Sequence, residues 1–159
     1  MFFSRIKSAI KRSSLTQSGR QYWRQGQDER SIECYEEALR LDLSLKGENH
    51  QDVAQDYDNI GVAYKGMGEY DRAIEYYRKA IAILEGISPE HILLPAPYNH
   101  IGIAYGYKGD YRRAVEYHEK ALRIQRKWGG PLAGLATGAT ETLLGAARAK
   151  LEREGESCD

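Results

Sequence analysis

Apolar residues recur along the middle of the chain with the spacing of one helix face. The stripe between residues 73 and 84 consists of Ala73, Tyr77, Ala80, Ile81 and Leu84. These residues occupy positions i, i+4, i+7, i+8 and i+11, and charged residues fill positions between them. Since an α-helix turns once in about 3.6 residues, the pattern predicts an amphipathic helix with one buried face.

The stripe belongs to a longer segment that occurs more than once. The sequence Tyr-Asp-Asn-Ile-Gly-Val-Ala-Tyr at 57–64 returns as Tyr-Asn-His-Ile-Gly-Ile-Ala-Tyr at 98–105, an offset of 41 residues. Residues 73–80 and 114–121 are related by the same offset. A weaker copy precedes the first by 42 residues, and a partial fourth copy starts at Gly145. A constant period of this length indicates stacked copies of one supersecondary unit.

Each copy is predicted to contain two helices joined by a tight turn. The turn glycines are Gly26, Gly68 and Gly109, and the aspartates that follow them are Asp28, Asp71 and Asp110. Glycine adopts the left-handed conformation that closes a helix, and an acidic side chain favours the start of the next helix. Small residues at facing positions, such as Gly61 and Ala73, let the paired helices approach closely.

The copies contain, in order, an aromatic residue, Ile-Gly, Tyr, Gly-x-Tyr, Ala, Tyr and Ala. This order resembles the sequence motif of the tetratricopeptide repeat (TPR). The long period and the inter-repeat stretch 47–54 are similar to the repeats of kinesin light chains. The resemblance implies an all-α fold, a right-handed α-solenoid of three TPR helix hairpins plus a C-terminal capping helix. The expected segments are a basic segment 1–12, a TPR domain 13–152 with repeats 13–47, 54–86 and 96–128, a cap helix 140–152, and a polar tail 153–159.

Two segments depart from the repeat pattern. Pro95 and Pro97 stand at the start of the third repeat, and a helix tolerates proline only in its first turn, so this helix is expected to begin near Pro97. Between Gly129 and Gly138, a Gly/Ala-rich segment replaces the usual inter-repeat sequence. The repeat pattern therefore does not predict how the cap helix docks.

Charge and composition exclude several classes of function. Lys plus Arg and Asp plus Glu are equal at 23 each, so no overall field attracts nucleic acid. The charge is nevertheless uneven, because residues 1–27 contain six basic residues and no acid. The apolar stretches are far shorter than the ~20 residues of a transmembrane helix. Cys34 and Cys158 form neither a disulfide framework nor a zinc-binding spacing, which favours a reducing, cytoplasmic location.

The basic segment 1–12 has three interpretations. Its apolar residues, Phe2, Phe3, Ile6 and Ile10, lie on one helical side, with basic residues on the other. A mitochondrial-type presequence has this character, and so does a helix that lies on a membrane surface. The third interpretation is a helix that packs on the first repeat, and it carries as much weight as the other two together.

The repeat explains the positions of histidines, which often have catalytic or metal-binding roles. His50 and His91 lie 41 residues apart at equivalent points of two connections, and His118 takes the stripe position of Tyr35 and Tyr77. No metal-binding His or Cys motif, phosphate-binding glycine loop or nucleophile elbow occurs. We therefore expect a protein that is not an enzyme and that has no cofactor or metal.

The resemblance also implies a binding site, because the first helix of each TPR pair lines a concave groove that receives a partner protein or extended peptide. The expected groove residues are Arg20, Trp23, Arg24, Gln55, Asp58, Asn59, Val62, Lys65, Asn99, His100, Ile103 and Tyr107. The amide of Asn59 suits a peptide backbone, although a solvated surface position is an equal alternative. Arg20 and Arg24 beside Trp23 favour an acidic or aromatic-acidic peptide, unless Trp23 only packs the first hairpin.

The TPR carboxylate clamp, which holds chaperone C-termini, uses Lys, Arg and Asn around the groove. Ala96 and His100 stand where that clamp would need basic residues, so a chaperone tail is not the expected partner. The sequence predicts a non-catalytic scaffold for protein–protein interaction. The alternative is a self-associating assembly module, in which repeats stack end to end into a homo-oligomer.

Overall fold

The computed structural model describes residues 2–129 and 133–156, and these residues form helices with no strand. The helices are α1 (Phe2–Arg24), α2 (Asp28–Lys46), α3 (Gln51–Gly66), α4 (Tyr70–Ile87), α5 (Pro95–Tyr107), α6 (Tyr111–Trp128) and α7 (Ala133–Glu156). The predicted all-α fold, built of helix hairpins, is confirmed.

The chain divides into two compact units. Unit 1 comprises residues 1–89, in which α1 pairs with α2, α3 pairs with α4, and α2 packs on α3. Unit 2 comprises residues 90–159, in which α6 packs on both α5 and α7. In unit 1 the joint between the two hairpins contains Tyr35 and Leu39 of α2 against Val53 and Ile60 of α3. Burial of these side chains from water stabilises the pairing of successive hairpins.

The turns within the hairpins follow the prediction. Gly26, Gly68 and Gly109 have φ values of 69°, 78° and 80°, a region that side chains with a Cβ rarely enter. The helices that follow begin with favourable acidic groups. Asp28 and Asp71 lie in the first turns of α2 and α4, and the Asp110 carboxylate accepts a hydrogen bond from the Arg113 amide at the start of α6.

The two helices of a hairpin touch where a glycine faces an aromatic ring. A Cβ placed on Gly61 would lie 2.6 Å from Cε1 of Tyr77, and one on Gly102 would lie 2.6 Å from Cε1 of His118. Gly19 has the same relation to Tyr35 in the first hairpin. His118 is buried, as expected for a residue that replaces tyrosine in the core. These contacts explain why glycine recurs at the same place in each repeat.

Three element boundaries differ from the expected ones. Helix α5 begins at Pro95 rather than Pro97, because both prolines fit the first turn, whose amides have no acceptor within the helix. Helix α7 runs from Ala133 to Glu156 rather than from 140 to 152, and Thr137 in its early part is buried. Only residues 157–159 of the tail lie outside the described residues.

No element boundary separates the basic segment 1–12 from the first repeat. Helix α1 continues without interruption through residue 12. Lys11 forms an ion pair with Glu37 of α2, and Arg12 contacts acids of α2 and α3. These ion pairs attach the end of the segment to unit 1, whereas Phe3 and Ile10 are exposed.

Candidate functional site

One open face of α1 carries basic and polar side chains but no carboxylate. A concavity of about 580 Å³ on this face, called here the α1 face, is lined by Arg12, Ser13, Thr16, Gln17, Arg20, Gln21 and Arg24. Arg20 and Arg24 are exposed, and neither forms an ion pair with a described residue. Because they stand four residues apart, they are neighbours on one helix surface. This face offers guanidinium, amide and hydroxyl groups to an anion.

Two other exposed cations in unit 1, Lys11 and Arg72, are already engaged. Lys11 pairs with Glu37, and Arg72 pairs with Glu69 while also lying over the ring of Tyr64. An ion pair already formed must be broken before its cation can bind a ligand. Arg20 and Arg24 can bind a ligand without first breaking an ion pair. Trp23, between them in sequence, is 42% exposed, so its ring is available for contact.

Four of the expected groove residues on α3 are half-buried, and the fifth is buried. Gln55 donates a hydrogen bond to Oδ1 of Asn59 at 3.4 Å, while the buried Nδ2 of Asn59 has no hydrogen-bond partner. Val62 and Lys65 are half-buried, and burial lowers the pKa of Lys65, an effect that Asp58 opposes. The unsatisfied Nδ2 of Asn59 is the group on α3 best suited to donate a hydrogen bond to a ligand carbonyl.

Asp58 does not lie on an open surface. Its side chain is only 5% exposed, and its charge raises the pKa of Tyr77, although burial is the larger cause of that shift. Asp58 is therefore buried, and its contact with a partner in a groove stays a prediction.

In unit 2 the expected groove residues have different environments. Asn99 donates a hydrogen bond to Oγ1 of Thr140 at 2.7 Å, and its Oδ1 lies 2.9 Å from Nδ1 of His118. Asn99 is thus engaged with α6 and α7 while half-buried, and its place in a groove stays a prediction. His100 and Ile103 are half-buried, and Tyr107 is 67% exposed.

The histidines have the structural roles expected from the repeat. Nδ1 of His50 accepts a hydrogen bond from the Asp52 amide, and Nδ1 of His91 accepts one from the Leu93 amide. Burial lowers the pKa of His118 to about 4, so its ring is neutral near neutral pH. Within the described residues, no group of three or more His, Cys, Asp or Glu side chains has the arrangement of a metal site. None of the described helices combines the length and hydropathy that crossing a membrane requires.

Unit 1 contains a buried charged cluster that the repeat pattern does not predict. Nε of Arg12 lies 2.7 Å from Oδ2 of Asp42, and Nη2 of Arg12 lies 3.5 Å from Oδ1 of Asp56. Both aspartates are fully buried. One signal was present, since Asp42 takes the stripe position that Leu84 holds 42 residues later. An acid at an apolar position of a repeat indicates a buried partner of opposite charge.

The chain resembles known family models and solved structures over most of its length. Models of the family described as tetratricopeptide repeat match residues 12–86 and 98–127. The photosystem I assembly protein Ycf3 of Synechococcus sp. (strain CC9605) is 43% identical over 51 residues, which cover 32% of this chain and 27% of that protein. The match therefore spans little more than a quarter of that relative.

Solved structures agree on the fold. BtubC (BKLC) from P. vanneervenii superposes with a TM-score of 0.78 at 25% identity, and the match covers 92% of this chain and 59% of that one. The TPR2B domain of yeast Sti1, solved in a complex with pHsp70, gives a TM-score of 0.69 at 18% identity, with coverage of 89% and 98%. Both likenesses support an α-solenoid of helix hairpins.

Proposed function

Since the chain belongs to the tetratricopeptide repeat family, we propose that it is a non-catalytic scaffold that binds a partner peptide or protein in unit 1. The contact surface is the α1 face, together with Asn59 and its neighbours on α3. The partner segment is acidic, or acidic with an aromatic residue. The observation that carries the proposal is the pair Arg20 and Arg24, which is exposed, has no ion pair and lies on a face without a carboxylate.

Each group on this surface has a role in the proposal. Arg20 and Arg24 bind carboxylates of the partner through charge-assisted hydrogen bonds. Trp23 receives an aromatic or aliphatic side chain, because Trp and Arg often contribute most of the binding energy at interfaces. Nδ2 of Asn59 donates to a backbone carbonyl, which gives affinity without dependence on the side chain of the ligand. In unit 2, taken by itself, Ile103 and Tyr107 offer an apolar contact.

The test is binding of a fluorescent acidic-aromatic peptide to the intact chain. Charge reversal at both Arg20→Glu and Arg24→Glu should weaken binding at least tenfold at low salt, since like charges then face each other. The loss should shrink at high salt, where exposed charges are screened over roughly 10 Å or less. Glu75→Arg on α4 is the matched control, because this exposed acid lies outside the α1 face.

Two results would count against the proposal. Full affinity of the double variant, with affinity lost in Glu75→Arg, would place the site on another surface. A mass that rises with concentration in light scattering, with no peptide binding, would favour the self-associating module instead. A circular dichroism spectrum measured beside these assays checks that the variants remain helical.

A further inference from the structure

Three carboxylates and two basic side chains meet where α1, α2 and α3 join in unit 1. Besides Arg12, Asp42 and Asp56, the cluster contains Lys46 and Asp52. Nζ of Lys46 lies 3.0 Å from Oδ1 of Asp42 and also pairs with the Asp52 carboxylate. Side-chain exposure is 22% for Arg12, 1% for Asp42 and 0% for Asp56, so the middle of the cluster is out of contact with water.

The charges of this cluster do not balance if every acid is ionised. Lys46 and Asp52 pair with each other at the partly exposed edge, with side-chain exposures of 30% and 31%. In the buried centre Asp42 and Asp56 share Arg12, so two carboxylates face one guanidinium and one negative charge is left over. Nδ1 of His50 accepts a hydrogen bond from the Asp52 amide and lies 3.7 Å from Oδ2 of Asp52, so His50 stands at the partly exposed edge of the cluster. Tyr35 of α2 also lies near Asp56 and is neutral. Burial of an uncompensated charge is costly, whereas one retained proton makes the cluster neutral.

The hydrogen bonds indicate where that proton resides. Oδ2 of Asp56 is buried and has no partner, although its Oδ1 is held by Arg12. Asp42 and Asp56 both contact the Arg12 guanidinium, and the neighbouring Asp42 raises the pKa of Asp56 through its charge and through hydrogen bonding. A proton on Asp56 turns the unpartnered oxygen into a donor and removes the repulsion between the two groups.

We propose that Asp42 and Asp56 share one proton in the folded chain, and that this proton makes the joint between the hairpins α1–α2 and α3–α4 sensitive to pH. With the proton bound, the two carboxyls attract each other across α2 and α3. Without it, two buried carboxylates share Arg12 and repel each other, so the joint weakens. If the proposed function holds, the same proton controls the alignment of the α1 face with Asn59 of α3.

The direction of the effect follows from the titration of Asp56. Burial raises the pKa of Asp56 to about 7, Arg12 opposes this shift, and Asp42 adds to it. Because the folded-state pKa lies above the unfolded value, the folded chain binds the extra proton more tightly. The stabilisation is complete below the unfolded pKa and is lost as pH rises through about 7. Stability should therefore fall between weakly acidic and weakly alkaline pH.

The direct test is an NMR titration of the Asp56 side-chain carboxyl carbon in the intact wild-type chain. A midpoint near pH 7 is the expected result. A midpoint below pH 5 would overturn the proposal, because no proton would then be shared near neutral pH. This measurement needs no variant and therefore no assumption about folding of a mutant, and it is independent of peptide binding.

Urea unfolding of Asp56→Asn at pH 5.5 and pH 8 provides the second test. Asparagine has the shape of the protonated acid and cannot ionise. The ratio of the wild-type unfolding constant to that of Asp56→Asn should rise roughly thirty-fold between the two pH values, since only the wild type loses the proton. The comparison between variants cancels the contributions of His118 and of all other groups.

The control is Glu48→Gln, which removes one exposed acid close to the joint. Its ratio to the wild type should stay the same at both pH values. The proposal is wrong if Asp56→Asn shows a ratio as constant as that of Glu48→Gln. Failure of the peptide-binding assay alone would remove the proposed function but not the shared proton.

Discussion

Gly61 shows how one atom determines the contact between two helices. A Cβ on this residue would lie 2.6 Å from a carbon of the Tyr77 ring, a distance that packed structures do not accommodate without movement. Tyr77 is fully buried, so a shift of its ring would have to displace packed neighbours. The identity of this residue is therefore set by the crossing rather than by helix propensity, which disfavours glycine.

The first prediction concerns this contact. Gly61→Leu should destabilise unit 1 by at least about 2 kcal/mol, because the added volume forces α3 and α4 apart. Gly86→Leu is the matched control, since Gly86 lies on the exposed side of α4 and no atom is within 4 Å of its virtual Cβ. That substitution should be neutral or stabilising through helix propensity. Equal midpoints of the two variants in urea unfolding would contradict the assignment of the crossing.

His118 replaces tyrosine at the equivalent position of the third hairpin and makes unit 2 sensitive to acid. Its pKa is lowered to about 4 by burial, whereas the unfolded value is 6.5. A lowered folded-state pKa means that the unfolded chain binds the proton more tightly. Stability is therefore complete above pH 6.5 and is lost as pH falls towards 4.

We expect the wild type to lose about 3 kcal/mol of stability from this residue between pH 7 and pH 4. In His118→Tyr, which restores the residue of the other copies, this contribution should disappear. Urea unfolding of both proteins across that pH range checks the prediction. Parallel curves for the two proteins would mean that His118 is already charged or exposed in the folded chain.

At the scale of elements, the sequence predicted the helix hairpins better than it predicted the residues at which helices begin and end. The turn glycines at positions 26, 68 and 109 mark the hairpins because only that backbone conformation closes the helix before the next begins. The start of α7 was placed seven residues late, because a Gly/Ala-rich segment has no cap or stripe to mark a boundary. The segment is helical because tertiary packing buries Thr137 and Thr140. A local sequence pattern does not indicate such tertiary packing.

The candidate site was predicted in the same uneven way. Arg20, Trp23 and Arg24 are exposed, as the repeat implied, because their positions lie away from the partner helix. Asp58 is buried and Asn99 is half-buried, so both are less open than Arg20 and Arg24, for a common reason. They stand at equivalent positions of two repeats, and each lies near a polar side chain of the facing helix, Tyr77 or His118. The position of a residue within the repeat does not reveal such a neighbour.

A hydrogen bond attaches helix α7 to the rest of unit 2. The third prediction concerns this hydrogen bond. Thr140 is fully buried, and its hydroxyl accepts from Asn99 on α5, which in turn contacts His118 on α6. Thr140→Val should cost about 1–3 kcal/mol, because a buried amide then loses its acceptor. Hydrogen exchange in α7 should accelerate, while exchange in unit 1 remains unchanged.

Thr142→Val provides the control, since this exposed hydroxyl bonds only within its own helix, to the Gly138 carbonyl. Its hydrogen exchange should match that of the wild type. Similar protection of α7 in both variants would show that apolar contacts, such as those of Leu144, hold the helix without help from Asn99.

At the scale of the whole molecule, the two units carry buried groups that titrate in opposite senses. Unit 1 holds the Asp42–Asp56 pair, which stabilises it when protonated, and unit 2 holds His118, which stabilises it when neutral. Repeat arrays unfold as a series of neighbouring pieces, so local stabilities need not change together. Acid therefore weakens unit 2 through His118, and alkali weakens unit 1 through the aspartate pair.

The last prediction is that the relative protection of the two units changes with pH. Between pH 4.5 and pH 8, the opening free energy of α6 should rise by about 2–3 kcal/mol, and that of α2 should fall by a similar amount. Hydrogen exchange with mass spectrometry, corrected for the intrinsic rate at each pH, reports both values in one protein. Asp56→Asn should cancel the change in α2 and leave that in α6, whereas His118→Tyr should do the reverse. If either substitution changed both helices equally, the chain would unfold as one cooperative unit, and the pH response would belong to the whole molecule rather than to its halves.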